Sequence, residues 1–340
     1  MPYISIKHRK IKTKIFRFIY FKMDNKRYNT FNNELKKHFR QKVVKLSLDG
    51  GFTCPTRDNS KGSRGCIFCS QRGSGEFAGL FETIDSNISD KLEKINIEAQ
   101  IENQINLTSK KWSNVKYIAY FQNFTNTYEK ASYLQALYQK AISQKDVVAL
   151  DIATRPDCLG DDILEVLDYF NKKTYLIVEL GLQSIHEKSE KFIRRGYDID
   201  VFEKALEDLS RLNIKTVVHT IVGLPTEDRY DMLATYKYLN KKNIHGVKIQ
   251  QLNILKNTDL EKYYEKNKFN LMTADEYVDF VCDVIQLLRG DIVIHRLTGD
   301  GAKEELIEPR WILNKRYVLN AIDKVMRQRN TYQGDKYYGF

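Results

Sequence analysis

Beyond residue 42, short apolar runs rich in β-branched and aromatic residues alternate with longer polar stretches of helical period. This alternation predicts parallel strands joined by helices, because buried β-branched runs and amphipathic helices together form βα units. Six runs are predicted as strands, with a possible seventh at Asp291–Leu297: Val43–Asp49, Val115–Gln122, Val147–Thr154, Thr174–Gln183, Lys215–Leu224 and Val247–Leu255. Helices are predicted near residues 87–106, 129–143, 161–171, 187–212, 227–242 and 273–288.

No linker rich in Pro, Gly or Ser interrupts these units, so a single α/β domain is predicted. Its sheet is either an open doubly wound sheet or a partial (β/α)6 barrel, and periodicity does not choose between them. In both architectures ligands bind at the carboxyl ends of the strands. The residues just after each strand are therefore where functional side chains are expected.

Composition limits the kind of protein. The chain has 340 residues, of which 42% are hydrophobic, enough for one large core or two small ones. No stretch is long and apolar enough to span a bilayer, so a soluble, globular protein without a membrane partner is predicted. The net charge is +11, but residues 1–22 hold seven basic residues and no acid, which leaves 48 basic against 44 acidic residues elsewhere. Global charge is therefore weak support for a nucleic-acid partner.

The basic segment 1–22 has three interpretations: an arm that contacts RNA, a targeting segment, or translation assigned upstream of a true start at Met23. The third is favoured, because the sequence from Met23 onward already opens a plausible domain.

Three clustered cysteines, Cys54, Cys66 and Cys69, are the main candidates for chemistry. They follow the first predicted strand, in a loop rich in glycine that also contains Pro55. A structural zinc site closes with four ligands, whereas an iron-sulfur cluster held by three thiolates leaves one iron open. A zinc knuckle completed by His38 or by a distant cysteine is the alternative.

The other two cysteines are Cys158 and Cys282. They are too few to hold a second four-iron cluster. Sparse cysteine also gives no disulfide framework, and an oxygen-labile cluster needs a reducing compartment such as the cytosol. Cys282 lies among apolar residues and is predicted to belong to the core.

The spacing Cys54-x11-Cys66-x2-Cys69, with the phrases GFTCPTRD and GCIFC, resembles the cluster loop of radical S-adenosylmethionine (SAM) enzymes, in particular the elongator-like YhcC/YtqA-type bacterial branch. The resemblance implies a TIM-like partial (β/α)6 barrel over residues 23–300 and a C-terminal helical extension over 301–340. It also implies that the three cysteines hold a 4Fe-4S cluster whose open iron binds SAM. An electron from a flavodoxin-like or ferredoxin-like donor would then cleave SAM, and the radical would abstract hydrogen from the substrate.

Residues after the second and fourth strands are candidates for binding SAM. Asn123, Thr125 and Asn126 stand where many relatives have a glycine pair that grips the methionine amine; an ordinary strand-to-helix turn is the alternative. Glu179 and Gln183 lie in the segment ELGLQS, which resembles elongator-like enzymes and implies contacts to the ribose or methionine. A buried acid is costly unless it is paired, so Glu179 is alternatively the neutraliser of a neighbouring arginine.

Three further SAM candidates come from the next helix and the fifth strand. Arg194 or Arg195 suits the methionine carboxylate because a guanidinium matches its geometry, and the sequence does not decide between them. Gly223 resembles the position where the backbone passes beside adenine in this superfamily. His219 is balanced between a core histidine and a contact to SAM or substrate.

Two places are assigned to the substrate. After the third strand, Arg155 lies in a TRPD turn that resembles elongator-like proteins, and Cys158 is either a reactive thiol or a small buried hydrophobe. The tail resembles the C-terminal signature of the branch and offers His295, Arg296 and Asp300 as contacts to a nucleotide. The basic residues of the last helix are more simply a solvated face: Lys315, Arg316, Lys324, Arg327 and Arg329.

By resemblance, the substrate is the wobble uridine of tRNA. The specific hypothesis is radical processing of its 5-carboxymethylaminomethyl-type arm, in which hydrogen abstraction next to nitrogen leads to loss of the carboxymethyl group. Two alternatives stay open: a radical SAM enzyme acting on a small metabolite, and a zinc-containing nucleic-acid-binding protein without catalysis.

Overall fold

The computed structural model describes residues 26–73, 88–299, 301 and 303–338. Within these ranges the strands are β1 (Val43–Leu48), β2 (Lys116–Phe121), β3 (Val147–Thr154), β4 (Tyr175–Gln183), β5 (Lys215–Val222), β6 (Gly246–Gln251), β7 (Ile254–Leu255), β8 (Val293–Arg296) and β9 (Leu306–Glu308). The α-helices are α1 (Phe31–Phe39), α2 (Ile88–Ile95), α3 (Ile97–Ser109), α4 (Ala131–Ile142), α5 (Asp161–Lys173), α6 (Glu187–Ile193), α7 (Ile199–Arg211), α8 (Arg229–Leu239), α9 (Asp259–Asn267), α10 (Ala274–Leu287) and α11 (Lys315–Gln328). No α-helix in this part of the chain has the length and apolar character needed to cross a bilayer.

Seven strands form one parallel sheet in the order β1-β2-β3-β4-β5-β6-β8. Neighbours in the sheet are therefore successive strands of the chain, apart from β7, which pairs antiparallel with β9. A doubly wound sheet would instead reverse its strand order at a switch point near its centre. The topology thus selects the barrel type, and β8 is the seventh strand that the sequence left as a possibility.

Contacts across the interior show that the sheet is curled. Lys45 Nζ on β1 lies 2.9 Å from Glu179 Oε1 on β4, three strands away. Lys248 Nζ on β6 lies 2.8 Å from the Tyr120 hydroxyl on β2, four strands away. In a flat sheet with about 4.8 Å between strands, these backbones would be about 14 and 19 Å apart. The predicted partial barrel is confirmed.

Three of the predicted elements are each interrupted in the structure and form two shorter elements. The helix predicted near 187–212 ends at Ile193, where Arg194 and Gly196 take φ values of 56° and 77°. The helix predicted near 87–106 is interrupted at Asn96, whose side chain caps α3. The strand predicted at Val247–Leu255 stops at Gln251, because the following residues pair with β9 instead. Residue 87 lies outside the described ranges.

Helices α1 and α9 have no counterpart in the sequence prediction, whereas the basic terminal helix is present as α11. Helix α10 begins with a capping box between Thr273 and Glu276 and packs against α11. Cys282 of α10 is fully buried there and contacts the Ile322 carbonyl, 3.7 Å away, so its predicted core position is confirmed. The predicted boundaries at residues 22 and 300 stay predictions, since residues 1–25 and 300 lie outside the described ranges.

The barrel interior is layered. Apolar side chains near the amino ends of the strands form its floor, which α1 covers through Phe31 and Leu35. A layer of charged and polar side chains lies above this floor, and a cavity opens above it at the carboxyl ends. The outer face of the sheet packs on the surrounding helices through the largest apolar core. The fold therefore places the functional residues between an apolar floor and an open mouth.

Candidate active site

The three clustered cysteines share one cavity of about 180 Å³ at the carboxyl ends of the strands. The loop that carries them turns sharply out of β1, where Gly51 has φ 67° and its N–H donates to Asp49 Oδ1 at 2.8 Å. Tight turns then aim the thiols inward, because Arg57 N–H donates to the Cys54 carbonyl and Cys69 N–H to the Cys66 carbonyl.

Arg57 connects the two ends of this loop. Its Nη2 donates to the carbonyls of Cys69 and Ser70 at 3.1 and 2.6 Å. The guanidinium lies over the Phe124 ring on one side and against the backbone of Gly65 on the other, where an added Cβ would come within 2.9 Å of Arg57 Nε. The side chain of Arg57 therefore holds the two ends of the loop together.

A second set of contacts fixes the loop to the helices beside it. Ile67 N–H donates to the Ile193 carbonyl at 3.1 Å, and Leu260 N–H donates to the Ile67 carbonyl at 2.9 Å. Asp259, the first residue of α9, pairs with Arg64 of the loop at 2.8 Å and with Arg194 at 2.7 Å. The hydrogen bonds from these arginines lower the pKa of Asp259 to about 2.

The cavity fits an iron-sulfur cluster better than a single ion. Among the described residues, no three His, Cys, Asp or Glu side chains converge on one point. A cubane cluster takes each thiolate on a different iron, so its ligands need not converge. His38, the named fourth ligand of the zinc alternative, packs on Tyr175 at the start of β4, at the opposite end of the sheet from the cysteine loop.

Burial raises the pKa of Cys66 to about 12, and the nearby Cys69 adds to this effect, while Arg155 and Arg57 oppose it. A bound metal favours thiolates and would reverse the balance. The two arginines therefore supply positive charge beside the candidate ligands.

Polar side chains beside the cysteines are buried without hydrogen-bond partners in the described structure. These are both amide atoms of Asn123, the hydroxyl of Thr125, Oδ1 of Asn126 and Oε1 of Gln183. Thr125 and Gln183 line the cavity itself, and Asn126 Nδ2 donates to the Ala153 carbonyl. Buried polar atoms are normally satisfied, so this group fits a site that a ligand completes.

Glu179 is paired, but not with an arginine. Oε1 accepts from Lys45 at 2.9 Å; Oε2 accepts from the Tyr120 hydroxyl at 3.0 Å and lies 2.8 Å from His219 Nε2. Lys248 also donates to Oε2. Burial alone would raise the pKa of this carboxyl, but Lys248 and Lys45 hold it well below its usual range. The alternative prediction, in which Glu179 neutralises a neighbouring arginine, is therefore wrong, because the cations that pair with it are lysines.

Each of the seven strands of the large sheet contributes one residue to this ionic layer: Lys45, Tyr120, Asp151, Glu179, His219, Lys248 and Arg296. Burial lowers the pKa of His219 to about 4, with a further lowering from Lys248, so the ring is neutral at pH 7. Burial also lowers the pKa of Lys248 and raises that of Asp151.

Sequence reasoning singled out Glu179, His219 and Arg296 but missed the other members of the ionic layer. The signal was available, because Lys45, Asp151 and Lys248 each stand alone as a charge in an apolar run, as Glu179 does. The same reasoning also missed Arg57 and the cavity-lining Tyr197.

The structure separates the two arginines that the sequence could not distinguish. Arg195 lines the cavity and is 2% exposed, but its guanidinium donates to the carbonyls of Leu182, Ser184 and Tyr197 and pairs with Glu190. Arg194 points instead to Asp259 and is not among the residues that line the cavity. Gly223 has φ 86° and lies beside Met272, also away from the cavity lining.

The substrate candidates divide between two cavities. Arg155 and Arg296 line the cavity of the cysteines. Arg155 Nε and Nη2 are held by Asp157 at 2.9 and 2.8 Å, which leaves Nη1 without a partner in the described structure. His295 stacks on Phe31 and lines a second cavity, beside β8 and α11.

Cys158 is half-buried and its pKa is raised to about 12, mainly by burial. Asp300 lies outside the described residues.

The curled parallel sheet, the cysteine loop after its first strand and the ligand-ready cavity define a radical SAM protein. Residues 61–239 match the family described as Radical SAM superfamily, and residues 244–328 match the Radical_SAM C-terminal domain. The chain belongs to this family, whose cofactors are a 4Fe-4S cluster and SAM. Membership sets aside the zinc alternative.

Two bacterial proteins are among the relatives that match nearly the whole chain. The chain is 43% identical to the uncharacterized protein YtqA of Bacillus subtilis (strain 168), over 91% of this chain and 92% of that protein. It is 30% identical to protein YhcC of Escherichia coli (strain K12), over 88% and 92% of the two chains. The resemblance to the YhcC/YtqA-type branch is thus confirmed.

Elongator-like proteins are more distant. Over 137 residues the chain is 25% identical to a tRNA uridine(34) acetyltransferase of Methanocaldococcus jannaschii, which covers 39% of this chain and 25% of that protein. The solved structure of the archaeal Methanocaldococcus infernus Elp3 with an N-terminal deletion (1–46) has a TM-score of 0.61 at 15% identity and covers 86% of this chain and 64% of that one. At this identity the match establishes the shared fold alone.

Proposed function

We propose that this radical SAM enzyme modifies the wobble uridine of tRNA and acts on a 5-carboxymethylaminomethyl-type arm. The observation that carries the proposal is one cavity in which three thiols, unpartnered buried polar atoms and four arginines meet. The arginines, Arg57, Arg155, Arg195 and Arg296, suit an anionic substrate. Similarity to a tRNA uridine(34) acetyltransferase supports the choice of nucleoside.

In this proposal Cys54, Cys66 and Cys69 hold the 4Fe-4S cluster. When it is bound and reduced by a flavodoxin-like or ferredoxin-like protein, the cluster supplies the electron that splits SAM into methionine and a 5′-deoxyadenosyl radical. Arg57 and Arg155 place positive charge beside the thiolates. Arg57 also keeps the loop closed around them through the Cys69 and Ser70 carbonyls.

The remaining polar and charged residues in and beside the cavity bind and orient. Asn123, Thr125, Asn126 and Gln183 offer the unpartnered polar atoms that SAM would complete. Glu179, whose two oxygens are already engaged, acts through the charges that it holds in place. Arg195 shapes the wall through backbone carbonyls, and Arg155 presents Nη1 to an anionic group of the substrate.

The 5′-deoxyadenosyl radical would take a hydrogen atom from the carbon next to nitrogen in the arm, giving 5′-deoxyadenosine and a substrate radical. Transfer of one electron from that radical to an oxidised flavodoxin-like or ferredoxin-like protein would give an imine, and hydrolysis of the imine would release the carboxymethyl group as glyoxylate and leave the aminomethyl arm.

The test is anaerobic cleavage of SAM by the reconstituted protein, measured as 5′-deoxyadenosine with and without tRNA from a strain that lacks this gene. We expect cleavage that tRNA stimulates, together with a changed wobble nucleoside. Cleavage that is indifferent to tRNA would redirect the search to a small metabolite. Unchanged tRNA nucleosides in the deletion strain would overturn the proposed substrate.

A matched pair of variants tests the ligands. Cys69→Ala should lose the iron and the visible absorption of the cluster, whereas Cys282→Ala, which removes a fully buried thiol far from the loop, should keep both. Equal iron content in the two variants would contradict the ligand assignment.

A further inference from the structure

Helix α11 presents a stripe of cations to solvent. Arg316, Asn320, Lys324 and Arg327 are all exposed, and their spacing places them on one face of the helix. From Arg316 to Arg327 the stripe runs for about 16 Å at 1.5 Å per residue. The only acid of the helix, Asp323, is buried and pairs with Lys26. The stripe therefore carries three positive charges with no acid of its own helix to offset them.

These cations make no ion pair or hydrogen bond with any described residue. By contrast, two acids of the adjacent helix α10 already have ion-pair partners. Asp279 and Asp283 both pair with Arg229 and Arg329. A solvated charged face commonly pairs its charges at i and i+4, as Lys172 does with Asp168 on α5. The stripe lacks such pairs, so its charges are directed outward.

The placement of these charges opposes helix stability. The amino end of a helix is electropositive and favours acids. Of the eleven α-helices in the described ranges, ten have no cation at their first two positions or carry an acid in the first turn, whereas α11 begins with Lys315 and Arg316 and has no acid there. Natural proteins depart from such local stability preferences mainly at functional sites, where a gain in function compensates the loss of helix stability.

Beside the stripe, helix α11 borders the interior of the barrel. Lys315 and Leu319 of α11 line the second cavity together with Lys45, Lys248 and Arg296 of the ionic layer. Arg296 also lines the cavity of the cysteines. A polyanion lying along α11 would thus pass close to the barrel seam between β1 and β8, and it would also pass the groove that Lys324 shares with Asp275 and Asp279 of α10.

We propose that this stripe, Arg316, Lys324 and Arg327, binds the phosphate backbone of the RNA substrate. The identity of the RNA rests on the proposed function. An anionic membrane has a similar charge, but a membrane-binding helix needs an exposed apolar face. The apolar face of α11, formed by Val318, Ile322 and Met326, is fully buried in the protein core. RNA is therefore the partner that the helix fits.

The experiment compares two triple variants of the full chain in binding to total tRNA from the deletion strain. One is Arg316→Gln with Lys324→Gln and Arg327→Gln. The control removes three exposed, unpaired lysines on other surfaces: Lys94→Gln, Lys145→Gln and Lys237→Gln. Affinity is measured by fluorescence anisotropy over a range of salt concentrations, and SAM cleavage without RNA serves as the basal activity.

We expect the stripe variant to bind tRNA about tenfold to a hundredfold more weakly at low salt, with a log–log salt slope shallower by about 2 to 3, because three counterion-releasing contacts are lost. The control should match the parent, and both variants should keep basal SAM cleavage. The melting temperature of the stripe variant should stay unchanged or rise, since Arg316 opposes the helix dipole.

Equal tRNA affinities of the stripe and control variants would contradict the proposal that the stripe binds RNA. If the stripe variant lost binding to vesicles of anionic phospholipid but bound tRNA like the parent, the partner of the stripe would be a membrane and not RNA. If the stripe variant lost tRNA binding but the deletion strain had unchanged tRNA nucleosides, the RNA-binding surface would be supported and the proposed function would be contradicted.

Discussion

Glu179 is the residue around which the ionic layer is organised, because its two oxygens contact Lys45, Lys248, Tyr120 and His219. A carboxylate with no exposed surface is stable only because these partners neutralise it. The charge and its partners come from different strands, so the pairing depends on the curl of the sheet.

Replacing Glu179 by Gln should destabilise the protein by about 3–5 kcal/mol, because it leaves the buried Lys248 without its anion and Lys45 with Asp151 as its remaining partner. The free energy of unfolding from urea titration measures this. The control is Glu203→Gln, whose partially exposed carboxylate pairs with Lys242 and should cost no more than about 1 kcal/mol. Equal costs would mean that the ionic layer contributes no more than a surface pair.

The pH dependence of stability follows from three half-buried histidines. Burial lowers the pKa of His219 and of His245 to about 4 and that of His295 well below its usual value. Between pH 6.5 and 4 the unfolded chain binds protons that the native chain refuses, so stability falls as pH falls. Asp151, whose pKa burial raises, contributes with the opposite sign and offsets part of the loss.

Urea unfolding at about pH 7 and about pH 5 should therefore show a lower stability at the acid pH, by at most about 1.4 kcal/mol per pH unit for each histidine. His245→Gln should reduce the change in unfolding free energy per pH unit, since this histidine is one of the three that cause it. Stability that was constant or rose on acidification would contradict neutral histidines in the native state.

At the scale of elements, the cysteine loop is the clearest case in which sequence and structure agree. The spacing of Cys54, Cys66 and Cys69 and the surrounding glycines predicted a turn-rich loop beside the first strand, and all three thiols reach one cavity. The sequence did not reveal that Arg57 joins the loop ends, nor that Arg64 and Arg194 share Asp259. Those contacts join segments far apart in the chain.

Gly65→Ala should lower the iron content of the reconstituted protein, because Gly65 has φ 70° and a Cβ there would approach Arg57 Nε to 2.9 Å. Gly62→Ala is the matched control in the same loop: no left-handed φ is required, and the nearest atom, the Thr56 carbonyl oxygen, would be 3.4 Å away. Iron content and the cluster absorption are measured for both. A similar loss in both variants would point to general loop damage instead.

At the scale of the whole molecule, Gln333 connects the two ends of the described chain. Its Oε1 accepts from Asn29 N–H at 2.8 Å, and its Nε2 donates to the carbonyls of Arg289 and Ile292 at 2.7 and 2.8 Å. These contacts hold the start of the domain beside β8, where Thr30 bridges to Ile294. The barrel edge is thereby fastened by residues from both ends.

Gln333→Ala should cost about 2–4 kcal/mol, since it leaves one buried N–H and two carbonyls unsatisfied. The control is Gln328→Ala, an exposed position at the end of α11, with an expected change of less than about 0.5 kcal/mol. Both are measured by urea unfolding. A neutral Gln333→Ala would show that water replaces the three hydrogen bonds.

The sequence by itself determined where the main strands lie along the chain, the α/β class and the cysteine loop, because hydrophobic period, turn residues and cysteine spacing are local properties. It also marked Glu179 and Thr125 as candidates by their position at strand ends. Only the tertiary structure chose the barrel over the doubly wound sheet and Arg195 over Arg194 as a cavity-lining residue. It alone assembled Lys45, Asp151 and Lys248 around Glu179, because the curl of the sheet, which no local pattern encodes, brings distant strands within reach of one another.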